Sequence, residues 1–489
     1  MSLPRAFTAL SGATAISMIA QLARGKLAAL FLGPAGVGIF NQLSVTWNLF
    51  QLGGQLGSFN GTVQHGADAL SAGNRDALRR LVATSTLLLG AVSVVMALVG
   101  VLLAPLLSNL LLHDGGAHAG LVSLLALGVP IGVSAQTYRA LLSAARAVPQ
   151  LVRTQILSDV GAAIVFAALV VPLGLTGAIL GFLSTHLLLF VIGFFGARRV
   201  LGPGMLTPRI RDFRWSVVRS NVGFSLSGLV MVALSNLSLL IVSRILIAHF
   251  GLAANGIFSN AWRIASVYLG AITTTTISYV LPTLTGARDS DQLSRDLSTT
   301  LRFYLIILPP VMVGIMAGGD LLVWLILSSQ FQPVAPLLLL FVPAELFRVL
   351  GETLTVPLLA RRRMLPFTLA YLAQAGIFVA VAAVLIPHAG AAGAAAAYAI
   401  STVLGFVIDC GAAIVLTKAR IDRETIAIGL SATALLVGAA IGFWWFGSLP
   451  ARLAIGLSLV ALWFAANSRS REFMRLVSGG IGLLPGIRR

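Results

Sequence analysis

Residues 26 to 40, KLAALFLGPAGVGIF, return 218 positions later as residues 244 to 258, RILIAHFGLAANGIF. Lys26 aligns with Arg244, Leu27 with Ile245, Gly33 with Gly251, Ala35 with Ala253, and Gly38-Ile39-Phe40 with Gly256-Ile257-Phe258. Each copy reads as the end of one apolar helix, a short glycine-bearing turn and the start of the next. The constant offset over fifteen positions argues against chance recurrence of a Gly-rich turn in a chain with 50 glycines. The copies therefore mark two versions of one six-helix unit, spans 1 to 6 and 7 to 12. Six crossings return the chain to the side it entered from, so the halves would be related by an axis along the membrane normal.

The rest of the chain fits a membrane setting. Of its 489 residues 58% are hydrophobic and 10% charged, with a mean hydropathy of +0.96, whereas soluble domains carry about 25% charged residues. An apolar helix needs about 20 residues to cross a bilayer. Cutting at charge clusters and Gly/Pro turns gives fourteen spans: 7 to 32, 38 to 64, 81 to 111, 117 to 138, 151 to 172, 174 to 196, 217 to 249, 256 to 283, 300 to 328, 333 to 359, 365 to 387, 391 to 417, 425 to 446 and 452 to 467. The expected class is an all-α polytopic membrane protein. It would comprise an N-terminal six-helix bundle (1–197), a basic cytoplasmic linker (198–216), a C-terminal six-helix bundle (217–418), and two extra helices with a basic tail (419–489). The apolar run after Arg5 continues to Leu32, longer than a signal-peptide core of about 7 to 15 residues, and reads as a retained first helix. One cysteine, Cys410, excludes a disulfide framework.

The net charge of +18 would suggest nucleic-acid binding in a soluble domain. Here 27 of the 33 Lys and Arg fall in one alternating set of loops and adjoining span ends, and only Arg452 in the opposite set. By the positive-inside rule both termini are cytoplasmic, and no nucleic-acid partner is expected. The outer loops are a few residues long. That argues against glycosyl-polymerases and lipid-linked-sugar ligases, which need a sizeable external domain. The only lysines, Lys26 and Lys418, lie outside any Gly-x4-Gly-Lys-Ser/Thr motif, so no nucleotide site, metal or other cofactor is expected.

Five cations lie within spans more than two residues from either end: Arg24, Lys26, Arg244, Arg263 and Arg348. Span 2 carries Asn41, Ser44, Asn48, Gln51, Gln55, Ser58 and Thr62 at alternating steps of 3 and 4, a polar stripe about 30 Å long on one helix face. Amides facing lipid are costly, so the stripe must face protein or water. Interhelical hydrogen bonding needs fewer such groups; seven favour a hydrated cavity. Span 1 adds Thr14, Ser17, Gln21 and Arg24 on one face, and span 8 adds Ser259, Arg263 and Ser266. Arg24 and Arg263 are the candidate lumenal cations, because a guanidinium fork suits phosphate oxygens. Lys26 and its counterpart Arg244 sit near helix ends, where they snorkel or neutralise the terminus. In span 10, Glu345, Arg348 and Glu352 form either an internal ion-pair cluster or an ion-coupling group. Asp159, Asp320 and Asp409 are further single acids. His113, Asp114 and His118 read as a solvated loop ahead of a metal triplet.

Four stretches, LGPAGVG at 32–38, YVLPTL at 279–284, WLILSSQF at 324–331 and IPHAGAAGAAAAY at 386–398, resemble those of the Wzx-type polysaccharide flippases, including lipid III and O-antigen flippases, of the multidrug/oligosaccharidyl-lipid/polysaccharide exporter superfamily. With the helix order they cover about residues 1 to 420. The resemblance implies two six-helix bundles that carry an undecaprenyl-pyrophosphate-linked oligosaccharide across the bacterial inner membrane by alternating access, without enzymatic chemistry. On it, Arg24 and Arg263 would bind pyrophosphate or acidic sugar. Gln21, Asn41, Asn48, Gln51 and Gln55 would meet sugar hydroxyls, while Glu345, Arg348, Glu352 and Asp159 would couple an ion or gate the cavity. A polysaccharide polymerase and a chain-length regulator would be the protein partners. Spans 13 and 14 depart from the twelve helices expected of close family members. The alternatives are a multidrug or toxic-cation antiporter, whose lumen should carry acids and aromatics, and a scaffold of a polysaccharide assembly complex, which needs no polar stripe.

Overall fold

The computed structural model describes residues 3–285, 289–360, 364–468 and 473, with side chains for 12–219, 229–266, 284, 289–358, 365–468 and 473. Arg288, Arg361, Arg362, Arg363, Arg469, Arg471, Arg475, Arg488 and Arg489 lie outside the described residues, as do the side chains of Arg5 and of residues 279–283 in the YVLPTL stretch. All regular secondary structure among the described residues is helical. The helices are α1 Leu3–Gln55, α2 Phe59–Ser71, α3 Arg75–Leu102, α4 Ala104–Leu112, α5 Ala119–Ala144, α6 Val148–Leu201, α7 Trp215–Thr285, α8 Ser290–Ala317, α9 Gly319–Ile326, α10 Val334–Ala360, α11 Met364–Thr417, α12 Arg423–Trp445 and α13 Leu449–Asn467.

Ten helical stretches among the described residues are long and apolar enough to cross a membrane. Four of them, in α1, α6, α7 and α11, are interrupted at one glycine, so the described residues form fourteen limbs of crossing length. Gly33 has φ 62° and ψ −178°, and its repeat partner Gly251 has φ 79° and ψ 178°. These angles are open to glycine and not to a residue with a Cβ. A second pair emerges in the structure: Gly174 (φ 53°, ψ −126°) and Gly390 (φ 54°, ψ −131°). After each, the chain folds back so tightly that a Cβ on Gly177 would lie 1.9 Å from the Leu169 carbonyl oxygen, and one on Gly393 2.4 Å from that of Leu385. These pairs share an offset of 216, so the pseudo-repeat extends well beyond the stretch that reveals it in the sequence.

The chain divides into two compact units, Met1–Ala248 and His249–Arg489. In the first, α5 packs against α1, α3 and α6. Gly132 lets it approach closely: a Cβ there would stand 2.7 Å from the Trp47 ring. Tyr138, Leu141, Leu142, Ala197 and Met205 form an apolar plug that seats the start of the basic linker, and the Arg214 amide donates to Thr84 Oγ1 at 3.0 Å. Residues 215–248 of α7 belong to this unit. Arg244 Nε donates to the Leu110 carbonyl at 2.6 Å, and Gln42 Nε2 to that of Leu240 at 3.4 Å.

In the second unit α10 packs against α11 and α8, and the two extra helices α12 and α13 pack against α8. Arg302 pairs with Asp422 at 3.3 Å and Glu424 at 3.5 Å. Arg452 NH1 donates to Asp320 Oδ2 at 2.6 Å, which ties α13 to the first turn of α9. The extra helices are thus an integral part of this unit.

Candidate functional site

The first unit gathers its polar groups around Arg24. The guanidinium donates to Thr185 Oγ1 at 2.6 Å and lies 3.8 Å from Asp159, with both charged side chains about 15% exposed or less. Asp159 and Thr185 come from opposite limbs of α6 and meet Arg24 because α6 reverses at Gly174. Next to Thr185, the His186 ring lies 4.7 Å from Trp47 and 5.2 Å from Phe182. Arg24 and Trp47, 23 positions apart along α1, reach adjacent residues of α6 because α1 turns at Gly33. Gln155 Nε2 donates to Ser17 Oγ at 3.2 Å on the same side of the unit, and Gln21 is exposed one turn before Arg24. Asn41 Nδ2, Trp47 Nε1, Ser158 Oγ and His186 Nδ1 are buried with no hydrogen-bond partner among the described residues. Buried polar atoms without partners are uncommon and mark a place built to take up water or ligand groups.

The polar stripe of span 2 is shorter than its spacing suggests. Its helix ends at Gln55, and Leu56 and Gly57 take φ of 50° and 66° before α2 begins. Gly57 permits the left-handed step, and the preceding Gly53-Gly54 pair weakens the helix. Only Asn41 to Gln55 share one continuous face. Asn48 is exposed, and Gln51 Nε2 donates to the Gly132 carbonyl at 3.3 Å. Beyond the break, Ser58 and Thr62 join Gln55, Gln136 and Thr137 around a cavity of about 10 Å³, room for a single water. The most buried amide on this helix is Gln42, 1% exposed and off the stripe.

Arg263 belongs to the second unit. Its NH2 donates to Asn260 Oδ1 at 2.9 Å, and Asn260 Nδ2 donates to the Gly256 carbonyl at 2.8 Å. Asn255 and Asn260 are buried beside it, so the repeated turn leads into a polar patch. The acids of α10 form a second cluster in this unit. Arg348 holds both at once, Nε to Glu345 Oε2 and NH1 to Glu352 Oε1, each at 2.6 Å. Tyr398 from α11 donates to Glu345 Oε1 at 2.5 Å, and the Glu345 side chain is fully buried. Asp409 approaches from the same limb; a Cβ on Gly351 would lie 2.7 Å from its Oδ2.

Outside the membrane spans, Asp114 organises the 113–118 turn. It accepts from Ser108 Oγ at 2.7 Å, His118 Nδ1 at 2.7 Å, and the amides of Gly116 and His118. Burial opposes its ionisation, but these bonds outweigh that and hold the carboxyl down at about 2.

Thr185, His186, Trp47 and Tyr398 were not singled out by spacing. His186, an ionisable residue in an otherwise apolar span, carried a readable signal by the reasoning that drew attention to Arg24.

A family model described as polysaccharide biosynthesis protein matches residues 27–336. The chain belongs to that family. Similar to this chain is the lipid III flippase of Escherichia coli (strain K12), 27% identical over 419 residues that span 84% of this chain and 98% of the relative. The lipid III flippase of Shigella flexneri matches over the same shares at the same identity. Among solved structures, the lipid II flippase MurJ in an inward closed conformation superposes with a TM-score of 0.71 at 14% identity, covering 95% of this chain and 99% of that one. An inward-facing multidrug resistance MATE transporter of the MOP superfamily gives a TM-score of 0.68 at 15% identity, covering 84% and 98%. At such identities the two structures establish a common fold, a polytopic helical membrane protein.

Proposed function

We propose that this protein is a non-enzymatic flippase for an undecaprenyl-pyrophosphate-linked oligosaccharide, an O-antigen or exopolysaccharide repeat unit. It moves the headgroup from the cytoplasmic to the periplasmic leaflet of the inner membrane by alternating access. The observation that carries the reading is a guanidinium at membrane depth, Arg24, held by one hydroxyl and a loose 3.8 Å contact to Asp159, with Thr185 followed by His186, whose buried Nδ1 has no hydrogen-bond partner among the described residues. A carboxylate at that distance is a counterion that a diphosphate can displace, because bidentate Arg–phosphate contacts are shorter and stronger. The relatives named lipid III flippase support the class of substrate.

On this account Arg24 and Arg263 bind phosphate or acidic sugar, and Gln21, Asn41, Asn48, Gln51 and Gln55 take sugar hydroxyls. Asp159 and the Glu345–Arg348–Glu352 cluster serve ion coupling or gating. The functional halves are residues 1–197 and 217–418, joined by the 198–216 linker, with the helices of 419–489 packed onto the second half and both termini cytoplasmic. A polymerase and a chain-length regulator receive the product. The test is flipping in proteoliposomes: Arg24→Ala with Arg263→Ala should lower the rate of lipid-linked repeat-unit transfer at least tenfold with the protein still folded. An unchanged rate refutes the assignment.

A further inference from the structure

The two limbs of α6 enclose a cleft of about 500 Å³ whose lining includes Gln150, Arg153, Leu157, Val191, Phe195 and Arg199. It lies wholly within the first unit and is separate from the Arg24 cluster. Arg153 and Arg199 stand 21 and 25 residues from the reversal at Gly174. At about 1.5 Å per residue both guanidinium stems start about 30 Å or more from the hairpin tip, at the level of the opposite bilayer interface. The wall lies deeper. Leu157 is one turn below Arg153 and Val191 about two turns below Arg199, and Leu157, Val191 and Phe195 are 45%, 38% and 59% exposed, which turns them toward lipid. Both arginines are exposed, and neither forms an ion pair with a described residue. The cleft has the size of a small-molecule site, with two fixed positive charges at its mouth and an apolar floor.

We infer that this cleft holds one anionic phospholipid of the adjoining leaflet, its phosphate between Arg153 and Arg199 and an acyl chain along Leu157, Val191 and Phe195. The charge match selects the occupant. A zwitterionic lipid would bring a cation toward two guanidinium groups, whereas a net anionic headgroup gains about fivefold for each interfacial basic residue, roughly thirtyfold for two. The exposed apolar wall places the site against the bulk bilayer, where phospholipid is abundant. The inference does not rest on the flippase reading; the orientation proposed above only names the leaflet, the cytoplasmic one.

The test is native mass spectrometry of the full-length protein released from nanodiscs made of equal phosphatidylglycerol and phosphatidylethanolamine. Wild type should retain phosphatidylglycerol over phosphatidylethanolamine by tenfold or more. Arg153→Gln with Arg199→Gln should bring the ratio close to one, while Arg75→Gln with Arg80→Gln, which removes the same charge elsewhere, should leave it unchanged. Because all four residues are exposed, an unaltered melting temperature confirms that the variants fold. An equal ratio in wild type and the Arg153/Arg199 variant overturns the proposal. So does displacement of phosphatidylglycerol by micromolar geranylgeranyl diphosphate in wild type alone, which would make a prenyl diphosphate the occupant.

Discussion

Replacing Arg348 by methionine keeps most of the side-chain length and removes the one cation shared by two acids of α10. The Glu345 side chain is fully buried and receives donors from Arg348 and Tyr398. Glu352, 28% exposed, loses its 2.6 Å partner. Two unit charges about 4 Å apart attract by about 4 kcal/mol at an effective dielectric of 20, and breaking a buried pair by removing one partner costs about 3–5 kcal/mol. At about 2–4 °C per kcal/mol for a unit of this size, Arg348→Met should lower the thermal midpoint by on the order of 10 °C. Removing the orphaned charge as well, with Glu345→Gln, leaves an amide that can still accept from Tyr398, and most of the loss should be recovered. The assay is the midpoint of purified protein in detergent, followed by size-exclusion fluorescence. A shift under about 2 °C for the single variant, or a double variant no better than the single one, refutes the view that Arg348 is the electrostatic keystone of this cluster.

The repeated turns make a paired prediction. Gly33→Ala and Gly251→Ala each force a Cβ into a glycine-only conformation and should destabilise by about 1–3 kcal/mol. Gly438→Ala, in helical backbone with open space around its Cβ position, should instead stabilise by about 0.5–1 kcal/mol; thermal midpoints of the three variants check both signs. For Asp114 the folded carboxyl titrates at about 2, below the ordinary value of about 3.9. Its ionised form therefore adds stability that is fully present above about pH 4 and is lost as pH falls toward 2. Asp114→Asn should lower the midpoint at pH 7, with the gap to wild type narrowing between about pH 4 and 2.

The spans, their number and the first repeat were legible because they depend on local properties. A run of about 20 apolar residues has to cross the bilayer, and a glycine in a tight turn is recognisable by what it lacks. The Gly174 and Gly390 pair escaped notice because its match is short: Gly174-x-x-Gly177-Ala178 returns as Gly390-x-x-Gly393-Ala394, with the preceding prolines Pro172 and Pro387 one position out of register. The polar stripe was legible as a period and overextended as a helix, because periodicity continues in sequence across the Leu56–Gly57 break.

Sequence alone therefore determined the all-helical membrane class, the doubled architecture and the residues too polar to face lipid. The tertiary structure decided which of them meet. Arg24 joins Asp159 and Thr185 across separations of 135 and 161 residues, and Tyr398 reaches Glu345 across 53. Such contacts are set by where α1, α6 and α11 reverse and by which limbs then lie side by side. Helical periodicity assigns each residue a face but carries no information about the neighbour that face will touch.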